Sequence, residues 1–175
     1  ARTGTPLLLR TLSLRAAILL TVWVATGLGP VALAGHQVVN AVWGFVAFAL
    51  DALAIAAQAL VGHALGAADV PLVRSLLRRT LQWGVGAGVV LGAVTGGLGW
   101  WLSAAFTSDP EVRHAVTVAL VVAAVLMPMA GWVFVLDGVL IGAGDGRFLA
   151  AAGLVTLAVY VPVALAVRAW APEGW

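Results

Sequence analysis

Cysteine and lysine are both absent from the 175 residues of this chain, and charge of either sign is scarce. The missing cysteine excludes disulfides, thiol catalysis and cysteine-ligated metal sites. Three scattered histidines are too few to build a metal cage. Only 9% of the residues are charged, whereas 63% are hydrophobic and the mean hydropathy is +1.09. A soluble chain of that composition would not have enough polar surface to cover itself, so the composition indicates a membrane protein.

The few charges divide the chain into five apolar runs that are long enough to cross a bilayer. They predict membrane-spanning helices at residues 12–33, 38–61, 81–106, 115–141 and 148–170. At ~1.5 Å per residue, each run covers the ~30 Å of hydrocarbon in a bilayer. Glycine, proline and aspartate mark the joints, the first of which is expected at Gly35-His36-Gln37. The predicted fold is an all-α integral membrane protein with five transmembrane helices.

The first run also resembles a cleavable signal peptide. Arginines precede it, and the small residues of Ala32-Leu33-Ala34 follow it. The run is long for the apolar part of a signal peptide, and Gly29-Pro30 fits the end of a helix. We therefore interpret it as the first membrane span.

The nine arginines are distributed unevenly between the two sides of the predicted spans. Seven lie on the side of the N-terminus: Arg2, Arg10, Arg15, Arg74, Arg78, Arg79 and Arg147. Arg113 and Arg168 are left on the other side. Because cytoplasmic segments carry an excess of basic residues, the sequence predicts a multi-pass protein of the inner, or plasma, membrane with a cytosolic N-terminus.

Polar side chains follow one face of the second predicted span. Asn40, Asp51 and Gln58 are spaced so that, at ~100° per residue, each returns to nearly the same face of a helix. Asp51 lies near the middle of its apolar run, where a carboxylate is unfavourable by ~2.5 to 3.5 kcal/mol. Such a residue indicates a proton, ion or substrate site, or else hydrogen-bonded contact between helices.

A second carboxylate, Asp137, follows the apolar run of the fourth span, where a role at the helix end is the alternative to ion coupling. The segment Phe48-Ala49-Leu50-Asp51 resembles Phe134-Val135-Leu136-Asp137. This suggests a weak internal repeat, and internal repeats in membrane proteins favour transporters. Asp51 and Asp137 are therefore the predicted ion-coupling residues.

Two prolines within the spans are expected to bend their helices. Pro128 has no N–H to donate, so it should free the carbonyl of Ala124, and Pro162 should act in the same way in the fifth span. Flexible methionines beside such a bend suit a surface that accepts varied apolar ligands. The residues assigned to a polar stripe or substrate cavity are Asn40, Gln58, Met127 and Met129.

The third span carries glycine at strict four-residue spacing, in Gly84, Gly88, Gly92 and Gly96. Small residues at this spacing form a smooth ridge that allows two membrane helices to pack closely. The ridge is expected to be structural, with helix sliding during a conformational change as the functional alternative.

Three stretches of the sequence carry recognisable motifs. Residues 34–38 are Ala-Gly-His-Gln-Val, residues 58–69 contain Gln-Ala-Leu-Val-Gly and Leu-Gly-Ala-Ala-Asp, and residues 137–146 contain Asp-Gly-x3-Gly-x-Gly. These motifs resemble signatures of the multidrug and toxic compound extrusion (MATE) family, and the likeness is strongest to its DinF-like branch. The resemblance covers essentially the whole chain.

The resemblance implies a secondary antiporter that exports amphipathic, often cationic compounds in exchange for protons or sodium. Such transporters have two lobes of six helices around a central cavity, and this chain resembles helices 7 to 11, with the first lobe and last helix missing. Asp137 matches a cation-site carboxylate of sodium-coupled members, but their seventh-helix glutamate has no equivalent in the first span, which favours protons. The expected partners are the lipid bilayer, the missing lobe, a small amphipathic substrate and the coupling ion. Neither a cofactor nor a nucleic acid is expected.

Two other functions remain open at the level of the sequence. Gly142-Ala143-Gly144-Asp145 matches the GxGD motif of intramembrane aspartyl proteases, which need a second carboxylate such as Asp51 or Asp137. Asp145 followed by Gly146 also fits a solvated turn. A membrane scaffold without transport would leave Asp51 unexplained. Motifs of soluble enzymes are missing, so we do not expect an enzyme of that kind.

Overall fold

The computed structural model describes residues 4–170, and the regular structure of this part is α-helical. Six helices follow one another: α1 (Gly4–Gly27), α2 (Pro30–Gly66), α3 (Val70–Gly97), α4 (Gly99–Phe106), α5 (Pro110–Gly142) and α6 (Gly146–Trp170). Four of them are long and apolar enough to cross a membrane, and the number rises to five if α3 and α4, which meet at 61°, are counted as one span. The prediction of an all-α membrane fold is confirmed. Arg2, one of the arginines assigned to the N-terminal side, lies outside the described residues.

The first joint lies earlier in the chain than the sequence predicted. The chain leaves α1 after Gly27 and enters α2 at Pro30, so Gly35-His36-Gln37 is helical and the joint predicted there is wrong. Gly29 has φ 104° and ψ 174°, a conformation that is open essentially to glycine alone. Pro30 then provides the fixed φ that suits the first turn of a helix. The predicted span 12–33 therefore crosses a helix boundary.

The third predicted span, 81–106, is not one straight helix. It is broken at Leu98, where α3 and α4 meet at 61°, after two consecutive glycines have weakened the helix. It also starts earlier than predicted, because Asp69 Oδ1 accepts a hydrogen bond from the Leu72 N–H at 3.0 Å and caps α3. The other predicted spans lie within longer helices: 38–61 within α2, 115–141 within α5 and 148–170 within α6.

The helices pack in two groups, with α2, α3 and α5 in one and α1 against α6 in the other. Gly35 faces Val116 near the start of α5, and Gly138 lies against Ala54 near its end, so α2 and α5 run in the same direction. In the second group, Gly146 lies beside Pro6 while Thr21 bonds to Tyr160, so α1 and α6 also run in the same direction. This arrangement leaves a seam between the two groups.

The glycines of α3 bring its backbone against that of α5. Those that face α5 are Gly84, Gly88, Gly92 and Gly96. A Cβ on Gly92 would lie 2.5 Å from the carbonyl oxygen of Ala124, and one on Gly88 would lie 2.8 Å from the Cα of Pro128. The carbonyl of Ala124, which Pro128 cannot engage, thus points to the smooth surface of Gly92. Both α5 and α6 continue as helices through Pro128 and Pro162.

Arginine and tryptophan meet at the end of the bundle where α1 and α6 finish. Arg168 Nη1 donates to the carbonyl oxygen of Trp23 at 2.9 Å, and its guanidinium lies 3.7 Å from the Trp23 ring centroid. Arg113 lies over the ring of Trp100 at 4.6 Å. Tryptophan is enriched at membrane–water interfaces, so these contacts are typical of a bundle end at the headgroup level.

Candidate functional site

A cavity of about 540 Å³ lies in the seam between the two groups of helices. Its charged lining residues are Arg10 from α1, Asp51 from α2 and Asp137 from α5. The hydroxyls of Ser13 and Thr156 also reach it, and most of the remaining lining is apolar. The structure thus brings the two predicted coupling carboxylates to one cavity and adds an arginine.

Arg10 and Asp137 form an ion pair within this cavity. Arg10 Nη2 donates a hydrogen bond to Asp137 Oδ2, and each of the two side chains is 25% exposed. Guanidinium keeps its proton at any pH relevant to proteins, so the positive charge is permanent. The pair compensates the Asp137 carboxylate inside an apolar helix, where an uncompensated charge is unfavourable.

Asp51 faces the same cavity from the neighbouring helix. Ala54, one turn after Asp51, packs against Gly138, which directly follows Asp137. Since α2 and α5 run in the same direction, the two carboxylates occupy one layer of the bundle. The two Phe-x-Leu-Asp segments of the sequence therefore lie at matching levels on adjacent parallel helices.

This charged layer lies near one end of the bundle. Asp137 is five residues before the end of α5 at Gly142, which is ~7.5 Å along a helix axis. Arg10 is six residues after the start of α1 at Gly4. Helix α2 continues past this level, with Gln58 against Gly142. Asp51 itself lies fifteen residues before the end of α2 at Gly66, near the middle of that helix.

The other residues assigned to a substrate cavity do not line this one. Asn40 is exposed in the first half of α2, and Gln58 lies with its backbone against α5. Met127 is 0% exposed and packs in the core with Val46 and Leu50, contrary to its prediction as a ligand contact. Met129 is 60% exposed on the surface of α5. The close approach of α3 on its glycine ridge buries Met127.

Two further cavities flank α3 and have mainly apolar linings. One of about 720 Å³ lies between α2 and α3 beside Gln82 and Trp83, and one of about 310 Å³ lies beside Phe45 and Phe106. Neither includes a charged side chain among the described residues. The cavity with Arg10, Asp51 and Asp137 is therefore the better candidate for ion chemistry.

Comparison with known proteins identifies the family. The family model described as MatE matches residues 6–166. The chain belongs to the MatE family. Protein DETOXIFICATION 44, chloroplastic, from Arabidopsis thaliana is 34% identical over 149 residues, which are 85% of this chain and 29% of that protein. Protein DETOXIFICATION 42 from the same plant is 31% identical over 158 residues, which are 90% of this chain and 30% of that protein.

The chain spans about 30% of the length of these curated relatives. No solved structure shows a significant match to it. The match to the family model confirms the family resemblance seen in the sequence. Members of the MatE family are multi-pass membrane transporters and not enzymes. Both relatives carry the name DETOXIFICATION.

In this MatE chain, the GxGD motif serves the joint between α5 and α6. Asp145 Oδ1 accepts a hydrogen bond from the Phe148 N–H at 3.1 Å, and Gly144 adopts φ 76°. The Asp145 side chain is exposed and does not line the cavity of Asp51 and Asp137. Asp145 is therefore a helix cap and not one of two carboxylates sharing a proton.

Arg10 is the site residue that sequence reasoning missed. Its place before the first apolar run made it one of several basic residues on the N-terminal side. The structure starts α1 at Gly4, so Arg10 already lies within the helix and Leu7 to Leu9 precede it. A charged residue between two apolar segments of one helix is the signal that would have indicated an inward role.

Proposed function

We propose that the full-length protein is a secondary antiporter that exports amphipathic or cationic compounds in exchange for protons. Asp137 and Asp51 are its coupling carboxylates. The observation that supports this most strongly is their position in one cavity, on two adjacent helices, with Arg10 as the charged neighbour. The names of the plant relatives support toxic compounds as the exported class.

The charges of the cavity favour a proton as the coupling ion. With both carboxylates ionised, Arg10, Asp51 and Asp137 carry a formal net charge of −1, because one positive charge faces two negative ones. A single proton on either carboxylate makes the lining neutral. Loading and release of one proton would therefore change the cost of keeping the cavity closed to water.

The position of the cavity supports a conformational role. It lies between the α1–α6 pair and the helices α2 and α5, so a change in its charge acts on the contact between two packed groups. Alternating access in transporters is largely the movement of one helical bundle against another. Protonation of Asp137 removes its charge, weakens its bond to Arg10 and favours separation of the groups.

The remaining features of the transporter follow from the family resemblance and the arginine distribution. We assign the chain to helices 7 to 11 of a twelve-helix protein of the DinF-like branch. The transporter lies in the plasma membrane, and the N-terminal end of this chain faces the cytosol. A first lobe, a last helix and the lipid bilayer complete the working unit.

The test is efflux by the full-length protein in proteoliposomes, driven either by a pH gradient or by a sodium gradient at fixed pH. Wild type should respond to the pH gradient, and Asp137→Asn should lower that response about tenfold or more. Asp51→Asn should have a smaller effect, because Asp137 keeps its bond to Arg10. Asp145→Asn is the matched control, since asparagine also caps a helix and this carboxylate is outside the cavity.

Two results would contradict the proposal. Efflux at wild-type rate with unchanged ion dependence in both the Asp137 and Asp51 variants would show that neither carboxylate couples transport. Efflux by wild type under a sodium gradient alone would replace the proton with sodium as the coupling ion.

A further inference from the structure

Arg10 already places a permanent cation on the Asp137 carboxylate. Its bond to Oδ2 takes up one of the two carboxylate oxygens, and both partners are three-quarters shielded in the seam. Guanidinium binds carboxylate with directed hydrogen bonds that an alkali ion does not make. A second cation at Asp137 must therefore either displace Arg10 or approach against its charge.

Apart from Arg10, the cavity contains oxygen atoms that would suit a hard cation. Asp51 and Asp137 line it with their carboxylates, and Ser13 and Thr156 are the hydroxyl residues of the lining. Each hydroxyl donates its proton to a backbone carbonyl of its own helix, Ser13 to Leu9 and Thr156 to Ala152, both at 2.9 Å. Their lone pairs remain available, and hard cations are bound by several converging oxygens.

No other charged side chain of the surrounding helices lines this cavity within residues 4–170. The charged residues of α1, α3, α5 and α6 that lie elsewhere are Arg15, Arg74, Arg78, Arg79, Glu111, Arg113, Arg147 and Arg168. In α2, Asp51 is the one residue with a formal charge at neutral pH. Among residues 4–170, Arg10 is thus the one positively charged side chain that offsets the two carboxylates of the cavity.

We propose that Arg10 is a built-in counter-cation that excludes sodium from the carboxylates of this cavity and so restricts the site to protons. The inference rests on the proposed antiport, because it concerns the ion choice of the same site. A proton needs no coordination shell and can bind to one carboxylate oxygen while Arg10 remains nearby. Sodium needs the space and the oxygens that Arg10 occupies. Arg10 is therefore a specificity-determining residue.

The experiment measures ion binding and does not depend on transport. Thermal unfolding of the purified full-length protein is followed at pH 8 in sodium chloride and in choline chloride of equal ionic strength. Wild type should show no sodium-specific shift of Tm. Arg10→Ala should acquire a sodium-specific rise in Tm, with an apparent sodium affinity about tenfold or more above that of wild type.

Three further variants locate the effect. Arg10→Lys retains the positive charge and should continue to exclude sodium. In Arg10→Ala with Asp137→Asn, the acquired sodium response should be lost, because a carboxylate ligand is gone. Arg15→Ala is the matched control, since it removes an exposed arginine of α1 that is outside the cavity. It should behave as wild type.

If Arg10→Ala does not fold, Arg10→Ala with Asp51→Asn restores the wild-type net charge and is measured in its place. A sodium response that is absent from every folded variant without Arg10 would overturn the inference. So would an equal response in wild type. Either outcome leaves the efflux test of the proposed function intact, since wild type can still be coupled to protons.

Discussion

The guanidinium of Arg10, at the end of the second turn of α1, donates to the carboxylate of Asp137 in α5, across 127 positions of the sequence. The two helices pack mainly against other partners, α1 against α6 and α5 against α2 and α3. The pair is therefore a direct link between the two packed groups of the bundle. Its strength can be measured separately from transport.

A double-mutant cycle on this pair should reveal a coupling free energy of about 1 to 2 kcal/mol. Arg10→Ala leaves two carboxylates without a cation, and Asp137→Ala removes the hydrogen-bond partner of Arg10, so each change should lower the free energy of unfolding. The double variant should lose less than the two single losses added together. The measurement is reversible unfolding of the full-length protein in detergent. Strict additivity would show that the two side chains do not interact.

The corrected first joint can be tested with two glycines that are close in sequence. Gly29→Ala should lower the free energy of unfolding by about 1 to 3 kcal/mol, because φ 104° is strained for any side chain. Gly35→Ala should be neutral or stabilising by up to ~1 kcal/mol, because alanine favours a helix and its Cβ would lie 3.8 Å from Val116. If Gly35→Ala lowered the free energy of unfolding more than Gly29→Ala did, the joint would lie at residue 35 as the sequence predicted.

The contact of α3 with α5 should be sensitive to a single methyl group. Gly88→Ala places a Cβ 2.8 Å from the Cα of Pro128, and we expect a loss of about 1 to 3 kcal/mol. Gly86→Ala lies on the same helix with nothing within 4 Å of its Cβ, so it should be tolerated. Unfolding of both variants under identical conditions makes the comparison. Equal stability would mean that the two helices are further apart than described.

The membrane spans could be predicted from sequence because each contains a long apolar run. The ends of the helices were less predictable, since they depend on individual backbone angles and caps. The bond from Asp69 Oδ1 to the Leu72 N–H and the positive φ of Gly29 decide where α3 and α2 begin. A hydropathy pattern does not predict backbone angles or capping hydrogen bonds of this kind.

The candidate site was predictable in part. Asp51 and Asp137 stand out because a carboxylate in an apolar run is costly, and their similar flanking residues indicated a relation between them. Arg10 could not be paired with Asp137 from sequence, because the contact depends on how two distant helices pack. Met127 was misplaced for the same reason, since its burial follows from the approach of α3.

Orientation in the membrane is a prediction that single cysteines can test. In a cysteine-free version of the full-length protein, Asp109→Cys should react with an impermeant thiol reagent added to intact cells, whereas Arg147→Cys should react only after the cells are opened. The arginine distribution is the reason for this expectation. Both positions are exposed at joints between helices, so access is comparable. Labelling of position 147 but not 109 in intact cells would reverse the topology.

Proton uptake by the carboxylates of the Arg10 cavity is the central claim, and infrared difference spectroscopy between high and low pH measures it most directly. The full-length wild-type protein should show the band of a protonated carboxylic acid at low pH. We predict that this band is absent or strongly reduced in Asp137→Asn, smaller or shifted in Asp51→Asn, and unchanged in the Asp145→Asn control. A band that is identical in wild type, Asp137→Asn and Asp51→Asn would place the protonated group outside this cavity and contradict the account.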